Sequence, residues 1–200
     1  MPPSARVIEG QTWIRGDCLV EEPIPLHIIH LSQDDPRKCT ARKLASRGLA
    51  NIHETNRRPP RRGILLDPLA GVILGPDDRA VIESGASLVA LDCSWKQIVQ
   101  SLADIEGRSP ALVGRTLPVV LAANPVSWGK PGRLSTVEAL AVSLILLGRR
   151  DQAEDILRPF SFGEQFLTLN RKPLESYEEA NSNAELVELQ WEYFDKPLGN

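Results

Sequence analysis

The sequence predicts an α/β protein with a mostly parallel sheet, flanking helices and a helical C-terminal region. Three observations carry this. Short apolar runs recur at 26–31, 63–66, 87–91 and 119–123, each too short for a helix and each bounded by polar, proline or glycine residues. Helix-start and helix-stop chemistry stands between them. From residue 150 onward only helical patterns remain. Strands alternating with helices return the chain to one sheet in parallel, because each crossover runs back along the sheet face.

The elements follow in order. Residues 1–25 are polar and punctuated by proline, and read as an extended or weakly ordered arm. Leu26-His27-Ile28-Ile29-His30-Leu31 reads as a buried strand. Asp35 is placed to cap a helix with Pro36 at its first position, and Lys38–Arg47 follows until Gly48 stops it. Asn51–Arg62 reads as a basic loop and Gly63-Ile64-Leu65-Leu66 as a second strand. Asp77 or Asp78 opens a short helix that Gly85 ends. Ser87–Leu91 is a third strand running into Asp92-Cys93-Ser94. Ser94 caps a helix whose apolar residues Trp95, Ile98, Leu102 and Ile105 share one face. Val119–Ala123 reads as a fourth strand. Ser135-Thr136-Val137-Glu138 is a capping box, and the helix behind it, Ala139–Leu147, is apolar nearly all round and so must be buried; Gly148 stops it. Residues 150–195 read as about three further helices.

Composition narrows the functional classes. No apolar run approaches the roughly 20 residues that cross a bilayer, and the first residues lack the basic-then-apolar pattern of a secretory signal. Three separated cysteines (Cys18, Cys39, Cys93) with no C-x-x-C pair fit neither a disulfide scaffold nor a cysteine zinc site, and suit a reducing cytosol. The net charge of −3 conceals an asymmetry. Residues 37–62 carry nine Lys/Arg against one acid, and residues 173–195 carry seven acids and no base. Such a basic stretch is the footprint of a polyanion partner such as nucleic acid, or a solvated face that the acidic tail neutralises in cis.

Phosphate-loop, dinucleotide-binding, nucleophile-elbow and zinc-protease motifs are absent. His27 and His30 lie three apart on a strand and face opposite sides, which makes them packing or strand-end residues and argues against a metal. What remains is a set of strand ends, where open parallel sheets bind ligands. Asp92, Ser94 and Trp95 stand at one, and the loop Asn124–Leu134 enters a capped helix at another. A tryptophan wall and a helix N-terminus suit a purine and a carboxylate, although on chemistry alone Trp95 as plain core and Asp92 as a plain cap is the stronger reading.

Asp35-Pro36-Arg37-Lys38-Cys39-Thr40, Leu66-Asp67-Pro68, Leu91-Asp92-Cys93-Ser94-Trp95, Arg115-x-Leu117-Pro118, Ala122-Ala123-Asn124-Pro125-Val126, Gly129-Lys130-Pro131 and Leu134-Ser135-Thr136-x-Glu138-Ala139 stand in this order. Phe160-x-x-Gly163-x-x-Phe166-x-x-x-Asn170 follows. Together, over about residues 26–180, they resemble the small-subunit rRNA aminocarboxypropyltransferases, ribosome-biogenesis enzymes, in an archaeal-type form without a long acidic or serine-rich tail. The resemblance implies a SPOUT-like fold with a C-terminal trefoil knot. It divides the chain into an N-terminal α/β part (1–115) with a basic RNA-facing segment and a knotted C-terminal part (116–200) with a helical tail. It implies transfer of the 3-amino-3-carboxypropyl group of S-adenosylmethionine to N3 of an N1-methylpseudouridine in small-subunit rRNA, with methylthioadenosine leaving.

Position by position, the resemblance implies that Thr40 bonds the methionine portion, the Leu91 backbone meets the ribose, and the backbones of Leu117 and Gly132 meet the adenine edge. Thr136 holds the amino-acid end, and Leu66, Pro68, Trp95, Leu134 and Ala139 form the apolar slot. Gly132 stands where an aromatic is common, and Ser127-Trp128 where Asn-Tyr is common. Asp92 is the candidate general base for the N3 proton, and Arg57, Arg58, Arg61 and Arg62 the candidate rRNA contacts. The expected protein is a cytoplasmic monomer with no metal and no membrane contact. Two other readings stand beside this one: a SPOUT-type RNA methyltransferase, and a non-catalytic factor binding pre-ribosomal RNA.

Overall fold

The computed structural model describes residues 22–31, 39–54, 60, 62–93, 99, 101–102 and 111–196. Five strands, β1 (Leu26–His30), β2 (Asn51–Glu54), β3 (Gly63–Leu66), β4 (Ser87–Asp92) and β5 (Leu112–Arg115), form one sheet in the order β2-β1-β4-β3-β5. Every pairing is parallel. The strands' period of two divides their side chains between two faces. Leu26, Ile28, Ile64, Leu66, Leu88 and Ala90 enter the main core, and Ile29, Leu65 and Val89 enter a second one with Leu102. Both faces are therefore covered, as an all-parallel sheet requires. A Cβ at Gly63 would collide with the Ser87 carbonyl, so glycine is what lets β3 approach β4 at that point.

The helices are α1 (Thr40–Ser46), a 3₁₀ turn (Pro76–Asp78) leading into α2 (Arg79–Glu83), α3 (Thr136–Leu146), α4 (Arg150–Leu157), α5 (Gly163–Leu169), α6 (Arg171–Glu179) and α7 (Asn183–Tyr193). The helix α3 packs against β4, α1, α4 and α6, and nearly all its side chains are buried, which accounts for an apolar pattern without a polar face. Gly48, Gly85 and Gly148, the expected helix stops, all have positive φ (69°, 84° and 79°).

Several expectations are corrected. The first helix starts at Thr40 rather than Lys38, because Cys39 is extended and its Sγ accepts from the Arg42 amide; Asp35 and Pro36 lie outside the described residues. The basic loop 51–62 begins instead with a strand, β2, a half-exposed edge strand of sequence Asn-Ile-His-Glu with no apolar signature. The C-terminal region holds four helices rather than about three. Of the helix expected over 94–105, only Val99, Ser101 and Leu102 are described, all helical, with Leu102 buried. Most of the N-terminal arm, 1–21, also lies outside the described residues.

The largest departure is at 119–123, which is extended and buried but pairs with no strand; the fifth strand is 112–115 instead. The backbone of 119–123 is satisfied partly by the backbone of 129–132 and partly by side chains of later helices. Gln190 Oε1 accepts from the Val119 amide (3.2 Å), and Tyr177 Oη donates to the Val119 carbonyl (3.0 Å). Asn170 accepts from the Leu121 amide (2.7 Å) and donates to its carbonyl (2.8 Å). Burial demands partners for these groups, but the partners need not be a strand.

The fully buried Glu138 carries the most of this. Its carboxylate accepts from the amides of Ala123 (2.7 Å), Asn124 (2.9 Å) and Ser135 (2.7 Å), the Asn124 side-chain amide (2.7 Å) and the Ser135 hydroxyl (2.7 Å). Glu138→Gln turns an amide NH₂ toward donors that have no other partner of this quality. A loss of about 1–3 kcal/mol is expected, seen as a fall in Tm of roughly 3–10 °C for a chain of this size. Thermal melts followed by circular dichroism check it, and an unchanged Tm would show that the carboxylate is dispensable.

Candidate functional site

The C-terminal ends of β3, β4 and β5 open into a cleft of about 1380 Å³. The start of α1, the loop 124–135, the N-terminus of α3 and Phe160–Phe162 close its sides. Side chains reach it because parallel strands all finish on one edge of the sheet, where the following turns splay apart. A small-molecule pocket usually occupies about 300–1,000 Å³, so this cleft has room for one ligand and part of a second.

Thr40, Leu66, Pro68, Leu91, Asp92, Leu117, Gly132, Leu134, Thr136 and Ala139, singled out from the sequence, all line this cleft. Trp95, Arg57, Arg58 and Arg61 lie outside the described residues. Arg62 precedes β3, at the end of the sheet opposite the cleft, and its guanidinium donates to the Ser84 carbonyl (3.2 Å) and hydroxyl (2.5 Å). Gly132 has φ 66°, a conformation L side chains rarely adopt, and its N–H donates to the Val120 carbonyl (2.9 Å). Any backbone contact it makes with a ligand is therefore through its carbonyl. Leu66, Leu117, Leu134 and Ala139 give one wall an apolar character, and Thr136 brings the first amides of the eleven-residue α3 to the rim. That helix end favours a carboxylate.

The floor is a hydrogen-bonded cluster that sequence reasoning did not assemble. His30 ends β1 and Asp92 ends β4, and the register sets them side by side. His30 Nδ1 lies 2.6 Å from Asp92 Oδ2, while Arg42 Nε donates to His30 Nε2 (3.2 Å). An Nε2 that accepts fixes the proton on Nδ1, so His30 is a neutral donor to Asp92. Thr136 Oγ1 donates to Asp92 Oδ1 (2.8 Å) and Cys39 Sγ to Asp92 Oδ2 (3.3 Å). Burial pushes the Cys39 thiol up to about 11, so it remains the protonated donor through the neutral range. One carboxylate thus ties β1, α1, β4 and α3 together. A carboxylate offers about four acceptor sites; among the described residues three are used, two on Oδ2 and one on Oδ1. The donor atoms of His30, Cys39 and Asp92 lie within 4.8 Å of one another, a grouping of metal-ligating types. In this arrangement protons bridge them, and Arg42 holds a positive charge against the histidine.

His30 is thus more than the packing residue expected, whereas His27 pairs with His53 (2.7 Å) on β2, and burial, then His53, lowers its pKa. Arg42, Lys43, Arg115 and Arg133 line the cleft without having been singled out. Lys43 Nζ stands 4.6 Å over the Phe160 ring and Arg115 pairs with Asp78 (2.8 Å). The clue to Arg42 and Lys43 was their place in the basic segment, three and four residues after Cys39 on the first helix, and the clue to Arg115 was its place in the Arg115-x-Leu117-Pro118 block.

Comparison with known proteins gives the site a context. Residues 64–194 match the family described as "Ribosome biogenesis protein, C-terminal". Residues 24–58 match a model described as a possible Fer4-like domain in RNase L inhibitor. A four-iron cluster needs four thiolates, and Cys39 is the only cysteine in that segment, so these residues do not fit one. The 16S rRNA aminocarboxypropyltransferase of Methanosarcina mazei is 42% identical over 170 residues, covering 85% of this chain and 95% of its own length. The enzyme of the same name from Halobacterium salinarum is 43% identical over 170 residues, covering 85% and 96%. A solved structure, the SAM-dependent rRNA:acp-transferase Tsr3 from Vulcanisaeta distributa, superposes with a TM-score of 0.71 at 36% identity, covering 84% of this chain and 97% of its own. With this identity along most of both lengths, the chain belongs to the family of ribosome-biogenesis proteins that includes the 16S rRNA aminocarboxypropyltransferases.

Proposed function

We propose that this protein transfers the 3-amino-3-carboxypropyl group of S-adenosylmethionine to N3 of an N1-methylpseudouridine in small-subunit rRNA. The observation that carries the reading is the gathering of Thr40, Leu91, Leu117, Gly132 and Thr136, drawn from four separate stretches of sequence, around one cleft. The donor, when bound, supplies a sulfonium-activated carbon. Everything else falls to the chain. Leu66, Pro68, Leu134 and Ala139 form the slot that hides the methyl group. Thr40 and the Thr136 end of α3 fix the aminocarboxypropyl arm toward the open side. Which carbon is presented to the nucleophile is then a matter of orientation. Asp92, whose partly exposed side chain lines the cleft, takes the N3 proton.

The knot expected in 116–200 is supported by the way side chains from α3, α5, α6 and α7 or their ends surround residues 119–124. Knotted chains are rare exceptions among folds.

Donor labelled separately in the methyl group and in the carboxyl carbon tests the reaction. Only the carboxyl label should reach 16S rRNA, with methylthioadenosine as the small product by mass spectrometry. Methyl label in the RNA, with S-adenosylhomocysteine formed, overturns the reading in favour of a methyltransferase. No transfer of either label leaves an RNA-binding assembly factor.

Asp92→Asn keeps an acceptor for His30 and an amide for Thr136 but removes the proton acceptor. Its transfer rate should fall about 10²- to 10⁴-fold while donor affinity by calorimetry changes only a few-fold. A rate loss below tenfold would make Asp92 a positioning residue alone. Reversing Arg57, Arg58, Arg61 and Arg62 to Glu should weaken rRNA binding and flatten its salt dependence, since each phosphate contact releases counterions. An unchanged salt slope would assign this stretch to plain solvated surface.

A further inference from the structure

The loop 124–132 offers a second feature beside the cleft. Its backbone is held at every turn. Ser127 donates to the Asn124 carbonyl (3.1 Å) and side-chain oxygen (3.0 Å), Gly129 to Ala122 (2.7 Å), Lys130 to Ser127 (3.0 Å) and Ala122 back to Lys130 (3.1 Å). Leu121 and Pro131 form an antiparallel bridge, and Asn124 is itself gripped by the buried Glu138. Gly129, at φ 71°, supplies the left-handed turn that lets the chain reverse.

On this fixed loop two large apolar side chains face water: Val126 is 72% and Trp128 54% exposed. A scattered exposed valine needs no explanation. An indole held out on a braced loop differs, because the loop cannot fold over to cover it. Asn124, Pro125, Val126, Ser127 and Gly132 line the cleft, so Trp128 stands at its margin. Lys130 and Arg133, both exposed, flank it on the same loop.

We infer that Trp128 is a stacking platform for an unpaired base of the RNA strand that enters the cleft, with Lys130 and Arg133 serving the adjoining phosphates. The inference rests on the rRNA reading above. An aromatic face accepts any base and gains most from one that is already unstacked. An acceptor whose N3 must be reached is such a base's neighbour, since N3 lies on the edge that pairing would cover. The platform thus supplies affinity for single-stranded RNA that is not electrostatic, complementing the cations whose contribution falls with salt.

The test uses the full chain with oligouridylate of about ten nucleotides and with small-subunit rRNA. Trp128→Ala should weaken binding to both by roughly 5- to 100-fold with the salt slope, the donor affinity and the melting curve unchanged. Trp128→Phe should restore most of the loss. Affinity that Trp128→Ala leaves unchanged overturns the platform while leaving the transferase reading intact. A wild-type protein with no RNA affinity removes both. Sedimentation showing that wild type self-associates and Trp128→Ala does not would assign the indole to a contact between copies of the chain, and overturn the proposal.

Discussion

A single buried carboxylate sets the geometry of the functional edge. Glu138 sits in the first turn of α3 with no exposure and five donors around it. A charge buried without partners would cost several kcal/mol, so this position is stable only when all the donors are present together. Those donors come from two places, residues 123–124 and the residue that caps α3. Their convergence fixes the distance between the extended segment 119–123 and the helix N-terminus. Removing any one donor would leave the remainder holding a worse-satisfied charge, which makes the arrangement cooperative.

Asp92 works differently, although it too gathers distant elements. It lines the cleft with a partly exposed side chain. His30 and Thr136 orient it from below and from the side, and the neutral tautomer of His30 is set by Arg42. One carboxylate is therefore saturated and builds the frame, while the other is oriented at the cleft. The contrast follows from depth: a fully buried acid must be saturated to be tolerated, whereas one at a cleft retains solvent as a partner.

Much of this was legible in the sequence where local chemistry and burial agree. The runs at 26–30, 63–66 and 87–92 became strands because both sheet faces are covered, so their sequences are mostly apolar. The Ser135–Glu138 box became a helix start at the expected residues. The strands at 51–54 and 112–115 were not legible, because edge strands bury little and β5 carries Gly114 and Arg115 in place of an apolar pattern. The run at 119–123 showed its burial but not its partners. Apolar periodicity reports that side chains are inside; it does not report whether a backbone amide faces a strand or an asparagine 49 residues away. The site residues divide the same way. Those in recognisable blocks fell around one cleft. His30 was missed because its meaning depends on the β1–β4 register, which brings it level with Asp92.

The same register argument bears on the charge asymmetry. Two readings of the basic stretch 37–62 were open: an outside polyanion, or neutralisation by the acidic residues 173–195. Among the described residues, the acidic region spends its charge elsewhere, with Glu178 pairing to Arg150 across α6 and α4. Three of the basic side chains described meet other partners: Arg42 a neutral histidine, Lys43 an aromatic face and Arg62 the oxygens of Ser84. None of these partners carries a negative charge, so the positive charge is oriented without being cancelled. Two such cations stand on α1, whose first residues border the cleft. A field of this kind raises the local concentration of a polyanion and steers its approach. Arg42 and Lys43 place positive charge beside the strand ends where the chemistry is proposed.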